Sequence, residues 1–402
     1  MTDPHSPPPR FAGSEAQLHE AAATLIEGWA DFGAGDYRRG LEVLLHSMDY
    51  DPRWSEEGRR RGWMGLASVL AARGHAVRAM AQTPGWDAHA ITAPIIITGV
   101  PRTGTTALHK LLAVDPQFQG LQTWITGAPQ PRPPLDTWEA NPRFQRSVAE
   151  LEARHREKPA ALAAHAMAAE EVDECCLILR QGFVSNLFTC GWSAQSYDLW
   201  RREQSEAHCY AHFERVLRLV GSNEVDSEGN GKRWLLKNPG HIENLDALFA
   251  QFPDAKVIQT HRDPAKAIPS LCALLIGNHA LFEEGRIEER AWQMGLAETE
   301  KWARAIRRAE PVRQAHAGQV LDVIHSDFHR NPIGTVEQIY AFAGLTLGDE
   351  VRAGMAVRIE EKPELAHGPH RYSLEDFGLS AGLVREVFGD YVERFDLLEK
   401  RA

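Results

Sequence analysis

The pattern of hydrophobic and polar positions changes partway along the chain, and this change divides the predicted architecture into two parts. Over residues 14–87, apolar side chains recur at the three- and four-residue spacing of one helix face. We therefore predict helices that begin at Ser14 and lie near residues 36–48 and 55–80. The preceding residues 1–13 are rich in proline and are predicted to be a disordered tail.

After residue 90, short apolar runs alternate with helical segments, which is typical of a parallel sheet with helical crossovers. We predict an α/β fold with three layers, α/β/α, around a central parallel sheet. One domain is expected over residues 14–402, with residues 14–87 as an added helical region and residues 90–402 as the core. The predicted strands are residues 95–98, 120–124, 233–237, 255–260 and 319–325. Further helices are predicted over residues 165–188, 196–219 and near 381–398.

The stretch 93–112, APIIITGVPRTGTTALHKLL, combines an apolar strand, a glycine-containing turn and a helix. The free N–H groups at the start of such a helix bind anions, and a glycine lets the backbone approach a phosphate closely. We predict a P-loop-like phosphate site there. Its residues are Arg102, Thr103, Gly104, Thr105 and Thr106.

A Walker A loop would have a lysine where Thr105 stands, and that lysine reaches the β- and γ-phosphates of a nucleoside triphosphate. Its absence disfavours a kinase or an NTPase. The cation of this loop is Arg102.

Polar clusters follow two later strands, at the edge of a parallel sheet where ligands bind. Lys237 and His241 follow the strand at 233–237, and Arg262 follows the next strand, with Ser270 eight residues later. A guanidinium group suits a phosphate dianion, and a serine hydroxyl adds one more donor. A cation at Lys237 would neutralise the charge that builds on a leaving phosphate oxygen.

The loop form P-[RK]-[ST]-G-T-T, the pair Arg262 and Ser270, and the strand-end Lys237 together resemble sulfotransferases that use 3′-phosphoadenosine 5′-phosphosulfate (PAPS). The resemblance is to bacterial-type members, which are related to tyrosylprotein and cytosolic sulfotransferases, and it spans about residues 90–400. It implies transfer of a sulfuryl group from PAPS to an acceptor hydroxyl or amine, with release of 3′-phosphoadenosine 5′-phosphate (PAP).

The resemblance also implies roles for individual residues. The loop with Arg102 would hold the 5′-phosphosulfate, Arg262 and Ser270 would bind the 3′-phosphate, and Lys237 would contact the sulfuryl group. A late loop over residues 367–373 would close over the 3′-phosphate. Its candidate ligands are His370, Arg371 and Tyr372.

A base must remove the acceptor proton. Some branches of the family have a glutamate about nineteen residues after the loop glycine, but Thr123 stands there. Our first candidate is His241. The next candidates are Glu174 and Glu171 from the acidic cluster 170–174, and the last is His165.

Composition restricts the partners. The net charge is −11, from 44 basic and 55 acidic residues, which disfavours nucleic acid as a ligand. The sequence has no run of about 18 apolar residues and no apolar leader, so we expect neither membrane insertion nor a signal peptide. Five cysteines without a paired spacing favour the cytoplasm, and no spacing of metal ligands is recognisable.

Several alternatives remain open at this stage. The chain could be a small-molecule kinase, a nucleotide-binding protein that binds PAP without catalysis, or a helical interaction protein. As a transferase it could act on a small molecule, a lipid, a sugar or a peptide. The helical region 14–87 could serve as a scaffold or in a homodimer.

Overall fold

A computed structural model describes residues 5–157, 168–226, 228–361 and 372–398. In this part of the chain, five parallel strands form one sheet in the order β2-β3-β1-β4-β5. The strands are β1 (Ile95–Gly99), β2 (Phe118–Gln119), β3 (Arg233–Lys237), β4 (Lys256–His261) and β5 (Val320–Ile324).

Nine α-helices precede β3 in the described part of the chain. They are α1 (Glu15–Leu25), α2 (Arg38–Met48), α3 (Glu56–Gln82), α4 (Thr105–Leu112), α5 (Thr123–Thr126), α6 (Pro142–Glu157), α7 (Cys176–Leu179), α8 (Gln195–Arg201) and α9 (Ala207–Gly221).

The later helices complete both helical layers. They are α10 (Leu245–Gln251), α11 (Pro264–His279), α12 (Ile287–Ala315), α13 (His325–Arg330), α14 (Pro332–Ala343), α15 (Asp349–Glu361), α16 (Ala381–Phe388) and α17 (Tyr391–Arg394). None of the helices described is long and apolar enough to cross a membrane.

Helices cover both faces of the sheet, because successive residues of β1 pack against helices on opposite faces. Ile96 packs into one apolar cluster with residues of α9, α11 and α12. Ile95 and Ile97 point to the opposite face and pack with residues of α4, α14 and α15. All residues of β1 are buried, and the strand begins with three isoleucines, as is typical of parallel sheets covered on both faces. The predicted three-layer α/β/α fold is confirmed.

A third apolar cluster lies in the N-terminal helical region. Leu18, Leu41 and Trp63 come from α1, α2 and α3, and Phe183 and Tyr197 join them from the later chain. The predicted disorder does not extend to Phe11, which is fully buried in this cluster and whose N–H donates to Asp49 Oδ1 at 2.8 Å. Polar contacts add to this anchor, because the N–H of Ala12 donates to Asp49 Oδ2 at 3.0 Å and Arg59 Nη2 donates to Pro9 O at 2.9 Å.

Two predicted elements differ from the structure for one reason. The strand expected at 120–124 is replaced by β2 and α5, and the described part of the helix expected over 165–188 is largely irregular before α7. Val172 forms an antiparallel bridge with Gln122, and the N–H of Cys175 donates to Lys237 O at 2.9 Å. The acidic segment therefore runs beside the sheet instead of forming a helix.

Other predicted helices are divided. The helix expected over 196–219 is α8 and α9, and buried Arg201 at the end of α8 binds Glu206, which directly precedes α9. The helix expected over 381–398 is α16 and α17, with Gly389 at φ +65° between them. A glycine in this conformation ends a helix readily.

The junction between α3 and the core provides a stability prediction. A Cβ on Gly58 would lie 1.8 Å from Phe282 O, whereas a Cβ on Gly65 of the same helix meets nothing within 4 Å. We expect Gly58→Ala to lower the free energy of unfolding by about 1–3 kcal/mol through overpacking. The control Gly65→Ala should raise it by about 0.5–1 kcal/mol, because alanine favours the helix. Denaturant titration measures both, and a shift of the same sign in both variants would contradict the account.

Candidate functional site

The loop between β1 and α4 passes unusually close to β4. Gly99 has φ +143°, and a Cβ there would lie 2.5 Å from Thr260 O, so only glycine fits. Gly104 has φ +90° and immediately precedes α4. Arg102 also has a positive φ of +69°, which is uncommon for a residue with a side chain and is held by the contacts that follow. The loop therefore presents the free N–H groups of α4 at the carboxyl edge of the sheet.

The cation of the loop meets the residues that follow β4. Arg102 Nε donates to Ser270 Oγ at 3.2 Å, and Arg262 Nη1 donates to Arg102 O at 2.9 Å. Thr103 Oγ1 lies 2.6 Å from Thr260 Oγ1. The structure thus brings Arg102 together with Arg262 and Ser270, which lie 160 and 168 residues later in the chain. Arg262 forms no ion pair with any described residue, so its charge is available to an anionic ligand.

Lys237 is fully buried at the end of β3 and connects the loop to the acidic segment. Its Nζ donates to Thr106 Oγ1 at 3.2 Å and to Glu174 Oε1 at 2.5 Å. A buried ammonium group needs such partners, because an unpaired charge away from water is costly. Glu174 stays partly exposed, with 24% of its side chain accessible, and its other oxygen accepts a long contact of 3.5 Å from Cys176 Sγ.

Glu171 lies in the same acidic segment but has different partners. Its oxygens accept from Lys110 Nζ at 2.5 Å and from Arg358 Nη2 at 2.8 Å. These bonds connect the segment to α4 and to α15. With a cation on each oxygen, Glu171 suits an anchoring role better than proton transfer.

His241, the first candidate base from the sequence, is enclosed in the core. Its ring is fully buried beside Phe213, and Nδ1 shares a 2.7 Å hydrogen bond with Tyr210 OH. Nε2 has no hydrogen-bond partner among the residues described. Burial lowers the pKa of His241 to about 3, so the imidazole is a poor proton acceptor near neutral pH. The geometry therefore favours Glu174 over His241 as the base.

His325, which follows β5 directly, was not among the predicted site residues. Its Cδ2 lies 3.3 Å from the position of a Cβ on Gly104, and its ring stacks on His329 with centroids 4.0 Å apart. Burial, and then the nearby charge of Arg262, lower the pKa of His325 to about 3. Its position at the carboxyl end of a strand was the signal that could have indicated it.

A groove next to this histidine opens beside the loop. Its cavity volume is only about 40 Å³, and its lining combines the cations Arg262 and Lys266 with the carboxylates Asp263 and Asp396.

The predicted closing loop is only partly described. His370 and Arg371 lie outside the described residues, as does His165. Tyr372 is described and packs against the apolar cluster that contains Ile96. Within the described ranges, no group of three or more histidine, cysteine, aspartate or glutamate side chains is arranged to hold a metal ion.

Comparisons with known proteins bear on the same part of the chain. A model of the sulfotransferase family matches residues 94–349, a segment that contains the loop, Glu174, Lys237, Arg262 and Ser270. None of the curated proteins compared with the chain matches it.

Two solved structures are similar over nearly the whole chain. Sulfotransferase STF1 from Mycobacterium tuberculosis H37Rv is 37% identical, with a TM-score of 0.84, and the alignment covers 94% of this chain and 99% of that one. Sulfotransferase STF9 from Mycobacterium avium is 25% identical, with a TM-score of 0.83, and the alignment covers 96% and 98% of the two chains.

Proposed function

The chain belongs to the sulfotransferase family, and on that premise we propose that it transfers a sulfuryl group from PAPS to an acceptor hydroxyl or amine and releases PAP. The family resemblance predicted from the motifs is confirmed. The contacts of Arg102 with Arg262 and Ser270 are the observation that supports PAPS as the donor. PAPS carries charge at both its 5′ and its 3′ positions, and this arrangement offers cations for both.

The donor would lie along the loop with its 5′-phosphosulfate at the start of α4. The N–H groups of Thr105 and Thr106 would bind its oxygens there, with Arg102 adjacent. Arg262 and Ser270 would bind the 3′-phosphate, for which a guanidinium group is well suited. The alternative of a kinase is disfavoured because Thr105 stands where the Walker A lysine would be.

Sulfuryl transfer requires in-line positioning and stabilisation of the leaving oxygen. The acceptor oxygen forms a bond to sulfur while the bond from sulfur to the 5′-phosphate oxygen breaks. Lys237 Nζ, held between Thr106 and Glu174, would stabilise the charge on that phosphate oxygen. Glu174 would take the acceptor proton, because its carboxylate is partly exposed and lies beside the same ammonium group. This pair favours catalysis over binding alone.

The wider setting of the reaction also belongs to the proposal. We place the reaction in the cytoplasm, since all five cysteines are free and four of them are buried. Residues 14–402 would act as one domain. The acceptor would be a small molecule, a lipid, a sugar or a peptide.

Replacing Arg262 tests the assignment of the donor. We expect Arg262→Ala to weaken PAP binding by about tenfold to a hundredfold, the usual cost of losing a hydrogen bond to a charged group. Binding of ADP, which has no 3′-phosphate, should change little. Isothermal titration calorimetry measures both ligands. Arg308→Ala, which removes a partly exposed arginine paired with Asp246, is the matched control. An equal loss of affinity for PAP and ADP would contradict a 3′-phosphate contact.

Replacing Glu174 tests the base. We expect Glu174→Gln to slow PAP release from PAPS by about 10²–10⁴-fold with a panel of phenol, alcohol and sugar acceptors, while PAP affinity is kept. The exposed Glu170 of the same segment provides the control Glu170→Gln, which should turn over normally. Full turnover by Glu174→Gln would show that another group takes the proton.

A further inference from the structure

Arg180 is a largely shielded cation without a partner in the described part of the chain. No described residue forms an ion pair or a hydrogen bond with its guanidinium group, and its Nε is inaccessible to solvent. Burial lowers the pKa of Arg180, so its surroundings disfavour the charge that it carries. An arginine nevertheless stays protonated in proteins. The described chain provides no anion for this cation, whose side chain is only partly buried.

Other shielded arginines of this protein show what a structural role requires. Arg73 donates to Phe32 O at 2.8 Å and to Asp36 Oδ1 at 2.7 Å. Arg201 binds Asp198 and Glu243. Because leaving a buried charge unpaired costs stability, such partners are the rule for arginines that only support a fold. Arg180, which is only partly buried, has no such partner among the described residues.

The position of Arg180 connects it with the proposed reaction centre. It begins the 3₁₀ turn Arg180–Gly182 directly after α7, one helical turn beyond Cys176. Cys176 Sγ lies 3.5 Å from Glu174 Oε2. Arg180 therefore belongs to the short segment that also holds the proposed base.

A second donor without an acceptor lies on the neighbouring helix. Gln181 Nε2 donates to Thr126 O at 3.3 Å and so connects the turn to α5. On α5, the indole Nε1 of buried Trp124 has no hydrogen-bond partner among the described residues. Two N–H groups on adjoining elements thus lack an oxygen to bind, and buried donors of this kind are rare in folded proteins.

We infer that Arg180 binds an anionic group of the acceptor, so that the substrate is a hydroxyl or amine compound that also carries a carboxylate, sulfate or phosphate group. The inference rests on the proposed function and assigns the class of its acceptor. A guanidinium fork binds such an anion through two hydrogen bonds, and this contact would orient the nucleophile toward Glu174. The donor does not need Arg180, because Arg102, Arg262 and Lys237 are at the loop.

The first test needs no acceptor. If the role of Arg180 is to bind a ligand, Arg180→Met should raise the midpoint of thermal unfolding of the ligand-free protein. The substitution removes an unpaired charge and retains the apolar stem of the side chain. The control Arg307→Met replaces an exposed arginine that pairs with Glu300, and its midpoint should change little. A lower midpoint in Arg180→Met would show that the arginine supports the fold and would overturn the inference.

The second test uses an isosteric pair of probes on protein saturated with PAP. We expect 4-hydroxyphenylacetate to raise the thermal midpoint of the native protein more than 4-hydroxyphenylacetamide does, and this preference should be lost in Arg180→Met. Equal effects of the two probes, no effect of either probe, or a preference that survives in Arg180→Met would each overturn the inference.

The PAP titration that precedes the probes separates the two claims. If PAP does not bind the native protein, the proposed function fails. If PAP binds the native protein and Arg180→Met equally, only the acceptor assignment is under test. A tenfold loss of PAP affinity in Arg180→Met would place the arginine in the donor site and would overturn the inference.

Discussion

The site depends on one close approach, that of the β1–α4 loop to strand β4. Gly99 allows it because any side chain there would collide with the backbone of Thr260. Once the loop lies against β4, Thr103 reaches Thr260, Arg102 reaches Ser270, and Arg262 donates to the backbone of Arg102. Two cations from distant parts of the sequence thereby meet at the carboxyl edge of the sheet, where parallel sheets bind ligands.

Charge compensation explains the other half of the site. Lys237 is buried at the end of β3, and its ammonium group is stabilised by Thr106 from the loop helix and by Glu174 from the acidic segment. That segment can reach Lys237 because it runs along the sheet edge and donates from Cys175 N to Lys237 O. The lysine that would stabilise a leaving oxygen and the carboxylate that would accept a proton are therefore held together by the same ion pair.

Much of the fold and half of the candidate site could be predicted from the sequence. The parallel sheet and its layers follow from alternating apolar runs, and Arg262 and Ser270 from their spacing after a strand. The sequence could not show whether His241 or Glu174 is the better base, because the burial of an imidazole depends on distant residues such as Tyr210. Arg180 was missed for a similar reason: a missing partner leaves no pattern in the sequence. Likewise, the irregular course near Val172 depends on its bridge to Gln122.

The most direct test of the central claim compares the thermal unfolding of the pure protein with PAP, ADP and ATP–Mg²⁺ under identical conditions. A ligand present at a hundred times its dissociation constant adds about 2.7 kcal/mol to the stability of the folded state, which is readily measured. The account predicts the largest rise of the midpoint with PAP and a weaker rise with ADP. Stabilisation by ATP–Mg²⁺ alone would contradict it and favour a kinase, and no stabilisation by any of the three would contradict nucleotide binding altogether.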